Sequence, residues 1–233
     1  MRVFYKGFNF MQDGPGNRLV YHLQGCNMRC PWCSNPEGMA FEGGSEYSVQ
    51  QIVEECLRSR AMFFSGGGVT FTGGEATMQA KELIDALKKL HAASIHTALE
   101  TNGTSHRLLE IARYVDYLIM DVKHFDPAMF QEFTGVQIEK LHKNYECLQR
   151  SGRQLHIRIP IINHINADHP EKFAEYFARY DTGNTVYEIL PYHEFGKNKW
   201  KTEYQIKDGF VSQDQINTFI RVFKEAGLKI IHT

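Results

Sequence analysis

The sequence predicts an α/β protein, an incomplete (β/α)6 barrel built as a single domain over residues 1–233. Three observations carry that expectation. Short runs rich in β-branched and aromatic residues alternate with amphipathic helical stretches, the pattern of a parallel sheet with right-handed crossovers. Six such units follow one another, which suits a partial barrel better than a flat doubly wound sheet. At 233 residues the chain can build one sizeable core without dividing.

Taken in order, residues 3 to 10 alternate loosely and read as an edge strand, ending at the turn Asp13-Gly14-Pro15-Gly16. Arg18 to Leu23 is a strand that delivers a cysteine-rich loop. Ser48 with Gln51 forms a capping box, and Val49, Ile52, Val53, Cys56 and Leu57 give helix 48–59 its apolar stripe. After Ser65-Gly66-Gly67-Gly68, strand 69–72 ends at Gly73-Gly74-Glu75 and a helix carries Leu83, Ile84, Leu87 and Leu90. Strand 95–100 leads to Glu100-Thr101-Asn102-Gly103, helix 105–114 follows, and strand 116–122 ends at Met120-Asp121-Val122-Lys123. Helical sequence fills 127–151. Strand 155–162 bears Arg158, helix 169–180 follows, and strand 185–191 runs into Tyr192-His193. Ser212 and Gln215 cap a last helix, about 213–226, before strand 228–232.

Composition excludes several classes. A formal net charge of −1, with basic residues spread along the chain, leaves no electrostatic footprint for nucleic acid or an anionic membrane. The N-terminus lacks the apolar core of a signal peptide, and no apolar run approaches membrane-spanning length, so the expected location is the cytoplasm. Thiols stay reduced there, and clustered cysteines bind metal rather than pair. Cys56 and Cys147 stand apart in helical sequence and read as buried small apolar residues.

Cys26, Cys30 and Cys33 are three of the chain's five cysteines and fall within eight residues as C-x3-C-x2-C. With no fourth cysteine nearby, they leave one coordination position open on whatever they bind, an iron-sulfur cluster or a zinc ion. Other unusual polar residues, Glu75, Glu100, Asn102, Asp121, Lys123 and His193, also fall at the C-terminal ends of the expected strands, the edge where α/β sheets bind ligands. Each has a plainer reading as well. Gly73-Gly74-Glu75 is a ligand approach or an ordinary turn. Asp121 and Lys123 point to one side of a strand as ligand contacts or as a structural ion pair. His193, one of 11 histidines, suits stacking, general base work or a structural hydrogen bond. No Gly-x4-Gly-Lys-Ser/Thr phosphate loop or dinucleotide fingerprint is present.

The cysteine spacing resembles the signature of the radical S-adenosylmethionine superfamily. Asp13-Gly14-Pro15-Gly16, Ser65-Gly66-Gly67-Gly68-Val69-Thr70, Gly73-Gly74-Glu75-Ala76, Thr101-Asn102-Gly103, Asp121-Val122-Lys123, Gly135-Val136, Ile157-Arg158 and the Pro191 to Trp200 run together resemble its glycyl radical enzyme activating enzymes, from about residue 7 onward. The resemblance implies that Cys26, Cys30 and Cys33 hold a [4Fe-4S] cluster whose vacant iron binds S-adenosylmethionine. Trp32 takes the place of an aromatic beside the adenine, and Gly74 and Glu75 meet the methionine part. Ser34, Asn102, Asp121, Lys123, Arg158 and His193 match further cofactor positions; Ser34 replaces a histidine found in relatives, which weakens the adenine contact inferred there. Asp13 matches a residue near the target glycine loop. Glu100, Thr101, Met120 and Asp121 match a monovalent cation site, for Na+ or K+, with glutamate one methylene longer than the usual aspartate.

Many activating enzymes insert a ferredoxin-like segment after the first cysteine motif. Residues 34 to 64 contain Cys56 alone, so one cluster and no such insertion are expected. The implied activity is anaerobic: flavodoxin or ferredoxin reduces the cluster, S-adenosylmethionine yields a 5′-deoxyadenosyl radical, and a hydrogen leaves a backbone glycine of a partner glycyl radical enzyme, a pyruvate formate-lyase-like protein first of all. A monomer suffices. The alternatives are another radical S-adenosylmethionine activity on a peptide or small molecule, or a non-catalytic iron-sulfur or zinc module.

Overall fold

The computed structural model describes residues 1–232, whose contacts gather into two compact units of interleaved sequence. The first comprises Met1–Asn27, Asn35–Thr101 and Ser105–Ile119; the second comprises Met28–Ser34, Asn102–Thr104 and the chain from Met120 onward. Because each unit draws on three separate stretches, no composition shift or linker marks them in the sequence.

In the first unit β1 (Arg2–Phe10) lies antiparallel to β2 (Asn17–Leu23). The two-residue β3 (Ser45–Glu46) pairs with Arg2 and Val3, so the strand expected at the edge is covered at its start. Beyond β2 come β4 (Gly68–Gly73) and β5 (Thr97–Thr101), both parallel. β2 and β4 are buried on both faces and rich in Leu, Val, Thr and aromatic residues, as strands inside a parallel sheet must be. Helices α1 (Val49–Arg58), α2 (Ala80–Ala92) and α3 (Leu108–Ala112) follow β2, β4 and β5. The α1 capping box forms as expected: the Gln51 amide donates to Ser48 Oγ at 3.1 Å and the Ser48 amide to Gln51 Oε1 at 2.7 Å. Helix α3 is much shorter than the expected 105–114, because Ser105 Oγ accepts the Arg107 amide at 3.2 Å and holds the entry as a turn.

β6 (Tyr117–Asp121) carries residues of both units. In the second unit α4 (Pro127–Thr134) ends at Gly135, whose φ of 79° is left-handed, and α5 (Glu139–Arg150) restarts the helix. The continuous helical stretch expected over 127–151 is therefore two helices. That glycine stops the first one. β7 (Leu155–Ile161), β8 (Thr185–Pro191) and the short β9 (Lys229–Ile230) form a parallel run. α6 (Pro170–Ala178) follows β7, and α7 (Gln213–Glu225), with its own Ser212/Gln215 capping box, follows β8. Rings of Tyr145, Phe173, Phe177, Tyr187, Phe219 and Phe223 fill this unit's core and are fully buried. Strands β2, β4, β5, β6, β7 and β8 each lead to a helix, which gives the six βα units read from the sequence. Among the described residues no helix is long and apolar enough to cross a membrane.

Candidate functional site

In the first unit the chain leaves β2 through Gln24-Gly25-Cys26 and is gripped at once by the returning segment 36–40. The Gln24 side-chain amide donates to the carbonyls of Glu37 and Ala40, the Gly25 amide to Gly38 O at 2.9 Å, and the Cys26 amide to Met39 O at 3.1 Å. Cys26 is 8% exposed. The corner after β4 presses on the same turn. The Glu75 amide donates to Gly25 O at 2.8 Å, and a Cβ on Gly74 would fall 2.3 Å from Gly38 O and 2.6 Å from Gly25 O. The second glycine is thus needed for contact with the chain's own cysteine loop.

Glu75 is 2% exposed, and its Oε1 accepts from the Thr77 amide at 3.0 Å, Thr77 Oγ1 at 2.6 Å and Thr101 Oγ1 at 2.8 Å. Such a carboxylate has one orientation. Next to Thr101, Glu100 accepts from Thr72 Oγ1 at 3.0 Å. The first unit therefore brings together Cys26, Gly74, Glu75, Glu100 and Thr101, all just past or at the ends of β2, β4 and β5.

Asp13 occupies the opposite end of β2. The Asn9 side-chain amide holds its carboxylate, and its carbonyl accepts from Thr70 Oγ1 at 2.7 Å. Strand β2, about 23 Å long at roughly 3.3 Å per residue, lies between Asp13 and Cys26. Behind Asp13, Arg18 is fully buried and donates to Thr70 Oγ1, Pro15 O and Val69 O; burial lowers its pKa to about 10 against the opposing pull of Asp13. Sequence reading placed Arg18 in a strand and gave it no such part, since an arginine at a strand start carries no signal of burial.

The second unit holds the rest of the cysteine loop. The Arg29 amide donates to Thr134 O at 2.9 Å, and the Cys33 amide to Cys30 O at 3.1 Å. Trp32, 8% exposed, tilts against Phe133 with ring centroids 5.7 Å apart. Its indole nitrogen is buried with no hydrogen-bond partner among the described residues. Cys30 is 7% exposed, Cys33 is half-buried, and Ser34 O accepts from Lys199 Nζ.

At the end of β6, Lys123 Nζ pairs with Asp121 Oδ2 at 2.7 Å. The other carboxylate oxygen, Asp121 Oδ1, is buried with no hydrogen-bond partner among the described residues. The Met120 thioether packs under Gly103, and Asn102 Oδ1 accepts from the amide and hydroxyl of Thr104. Arg158 Nε donates to Glu188 Oε2 at 2.9 Å, both residues are buried, and His156 Nε2 lies 3.0 Å from the same oxygen. Glu188 and His156 were missed from sequence. Their only signal is a polar side chain within a largely apolar strand. His193 follows β8 with its ring stacked on Phe195 at 4.3 Å, and desolvation lowers its pKa, which keeps the imidazole neutral at neutral pH.

Cys56 is fully buried, and burial pushes its thiol up to about 12, as a packing residue requires. Cys147 departs from expectation. It is half-buried, on the flank of α5 rather than in the core.

Each unit thus offers polar atoms that a ligand could meet: in the first, the Glu75 carboxylate oriented by Thr77 and Thr101; in the second, the Trp32 indole N–H and Asp121 Oδ1, buried with no hydrogen-bond partner among the described residues.

Comparison with known proteins gives the same direction. The model of the Radical SAM superfamily matches residues 20–177. The chain is 34% identical over 203 residues to the pyruvate formate-lyase-activating enzyme of Clostridium pasteurianum, covering 84% of this chain and 85% of that one. It is 35% identical over 196 residues to the pyruvate formate-lyase 1-activating enzyme of Escherichia coli K12, covering 81% and 79%. A solved domain of a pyruvate-formate lyase-activating enzyme from Bacteroides vulgatus superposes with a TM-score of 0.61 at 29% identity, over 71% of this chain and 98% of that one.

Proposed function

Since the chain belongs to the radical SAM superfamily, and within it to the activating enzymes of glycyl radical enzymes, we propose that its partner is a pyruvate formate-lyase and that flavodoxin or ferredoxin is its electron donor. The family implies a [4Fe-4S] cluster and S-adenosylmethionine as cofactors. When bound, they supply a 5′-deoxyadenosyl radical that takes a hydrogen from a backbone glycine of the partner.

The observation that carries the residue assignment is the Glu75 amide on Gly25 O, which ties the Gly-Gly-Glu corner to the cysteine loop. On this reading Cys26, Cys30 and Cys33 hold the cluster. Glu75, already oriented by Thr77 and Thr101, receives the amino group of the methionine part without reorganising. The Trp32 indole and neutral His193 flank the adenine, and Asn102, Lys123 and Arg158 bind the remaining polar groups. Ser34 offers a hydroxyl at most. Asp121 Oδ1, together with Glu100, Thr101 and Met120, is assigned to a monovalent cation, Na+ or K+. Asp13, fixed by Asn9 at the far end of β2 from Cys26, is assigned to an outlying contact with the target glycine loop and not to the reacting glycine. The protein acts as a monomer of one radical SAM domain, in the cytoplasm.

Anaerobic reconstitution tests the reading in steps. The protein should gain the visible absorption of a four-iron cluster and a Cys26→Ala, Cys30→Ala, Cys33→Ala variant should not. The reduced protein should cleave S-adenosylmethionine and raise a glycyl radical EPR doublet in added pyruvate formate-lyase. Cofactor cleavage with no doublet in any glycyl radical enzyme tried would overturn the activase reading in favour of a peptide or small-molecule substrate.

A further inference from the structure

The third cysteine is held from outside its own loop. Past β8 the chain passes through a 3-10 turn, Lys197–Lys199, and lies against Cys33 and Ser34. The Trp200 indole donates to Cys33 O at 3.2 Å, and the Lys199 ammonium to Ser34 O at 3.1 Å. Gly196 permits the approach. A Cβ there would fall 2.5 Å from Ser34 Cα and 2.6 Å from Cys33 O, backbone atoms that cannot swing away. Its φ of −90° is open to any residue, so space and not backbone freedom demands glycine.

The strap is itself anchored. The Trp200 ring meets Tyr204 edge-on at 5.8 Å, and the Tyr204 and Tyr192 hydroxyls share a hydrogen bond of 2.9 Å. Tyr192 is buried just past β8, and its amide donates to Ile161 O at 3.0 Å, which ties the segment to β7. On its other side the cysteine loop is pinned to α4 by the Arg29 amide on Thr134 O and by Trp32 on Phe133. Residues 29–34 are thus fixed at both ends. Neither strap contact uses a sulfur.

We propose that Gly196 and Trp200 are positioning residues for the cluster, fixing the Cys33 backbone so that its thiolate is preset on the third iron. The inference rests on the iron-sulfur reading above. Iron escapes a cluster when a thiolate lets go, and a backbone that cannot drift returns the sulfur before the metal leaves. Trp200→Phe removes the N–H and keeps a ring for Tyr204; Gly196→Ala forces the strap and loop apart.

The test compares reconstituted wild type with both variants for the rate of iron release to a ferrous chelator and for the EPR g-values of the reduced cluster. The unfolding midpoint of each apo form is the control. Trp200→Phe should release iron about fivefold faster, the effect of losing one ordinary hydrogen bond, with the apo midpoint lowered by no more than that one bond accounts for. Gly196→Ala should release it faster still and shift the g-values. Release at the wild-type rate with wild-type g-values in Trp200→Phe overturns the proposal, whatever the alanine variant does. A wild type that takes up no four-iron cluster removes the cofactor reading and the strap together; a loaded wild type with an indifferent Trp200→Phe removes the strap alone.

Discussion

The Glu75 amide donates to Gly25 O at 2.8 Å, which locks the corner after β4 onto the turn that presents Cys26. With Gly74 wedged between the carbonyls of Gly25 and Gly38, the corner and the loop are in direct backbone contact. Gly74→Ala must push them apart, and overpacking against backbone costs about 1–3 kcal/mol. Chemical denaturation of the apo protein should register that loss, and iron content after reconstitution should fall with it. A variant with full iron and wild-type stability would contradict the contact.

The Thr101 hydroxyl is one of three donors to a single buried oxygen of Glu75. Thr101→Val keeps the shape and removes the donor, leaving a buried carboxylate short of a hydrogen bond at a cost of about 1–3 kcal/mol. The expected outcome is weaker S-adenosylmethionine binding, read by titrating the cofactor into the reduced cluster and following its EPR signal. Thr101→Ser should restore most of the affinity. If valine binds as tightly as threonine, the hydroxyl does not orient Glu75.

His124 is 3% exposed, and its Nδ1 accepts the Asp126 amide at 2.9 Å. Desolvation lowers its pKa from 6.5, opposed by the Ile165 backbone and by Asp126. The sign follows: below 6.5 the unfolded chain takes up a proton that the folded one refuses, so stability is full above that pH and falls as pH drops through it. His96 and His142 are shifted the same way by burial and contribute in the same direction. Urea denaturation across this range should show wild-type stability falling with acid, and His124→Gln should show a shallower fall. Parallel curves would mean that His124 does not contribute.

Local chemistry was legible in the sequence, and long-range contact was not. Ser48 with Gln51 and Ser212 with Gln215 gave both helix starts because a capping box is complete within four residues. β8 was read at its observed bounds, Thr185–Pro191, and the cysteines, Glu75, Asp121 and His193 were correctly put just past or at the ends of their strands. The failures are contacts that no window contains. Trp200 reaches Cys33 across 167 positions, Arg158 reaches Glu188 across 30, and Gly74 is packed against Gly25 and Gly38 by the register of neighbouring strands. Helix bounds failed where side chains compete with the backbone, as at Ser105, or where one glycine turns left-handed, as at Gly135.

Arg158 and Glu188 face each other from neighbouring strands, β7 and β8, at 2.9 Å and almost without exposure. A guanidinium buried this deeply is costly to desolvate unless a carboxylate neutralises it, and Glu188 is that partner. Removing the carboxylate takes the Glu188 charge from the buried guanidinium, so Glu188→Ala should destabilise the protein by about 3–5 kcal/mol, the usual cost of breaking a buried pair from one side. Arg158→Met removes the charge along with the need for its partner and should cost less. The comparison also divides structure from function. If Arg158 contacts the cofactor, Arg158→Met should lower S-adenosylmethionine affinity by more than its stability change explains, measured at a temperature where the variant is fully folded. Wild-type affinity in that variant would leave Arg158 as a core ion pair and remove it from the cofactor site.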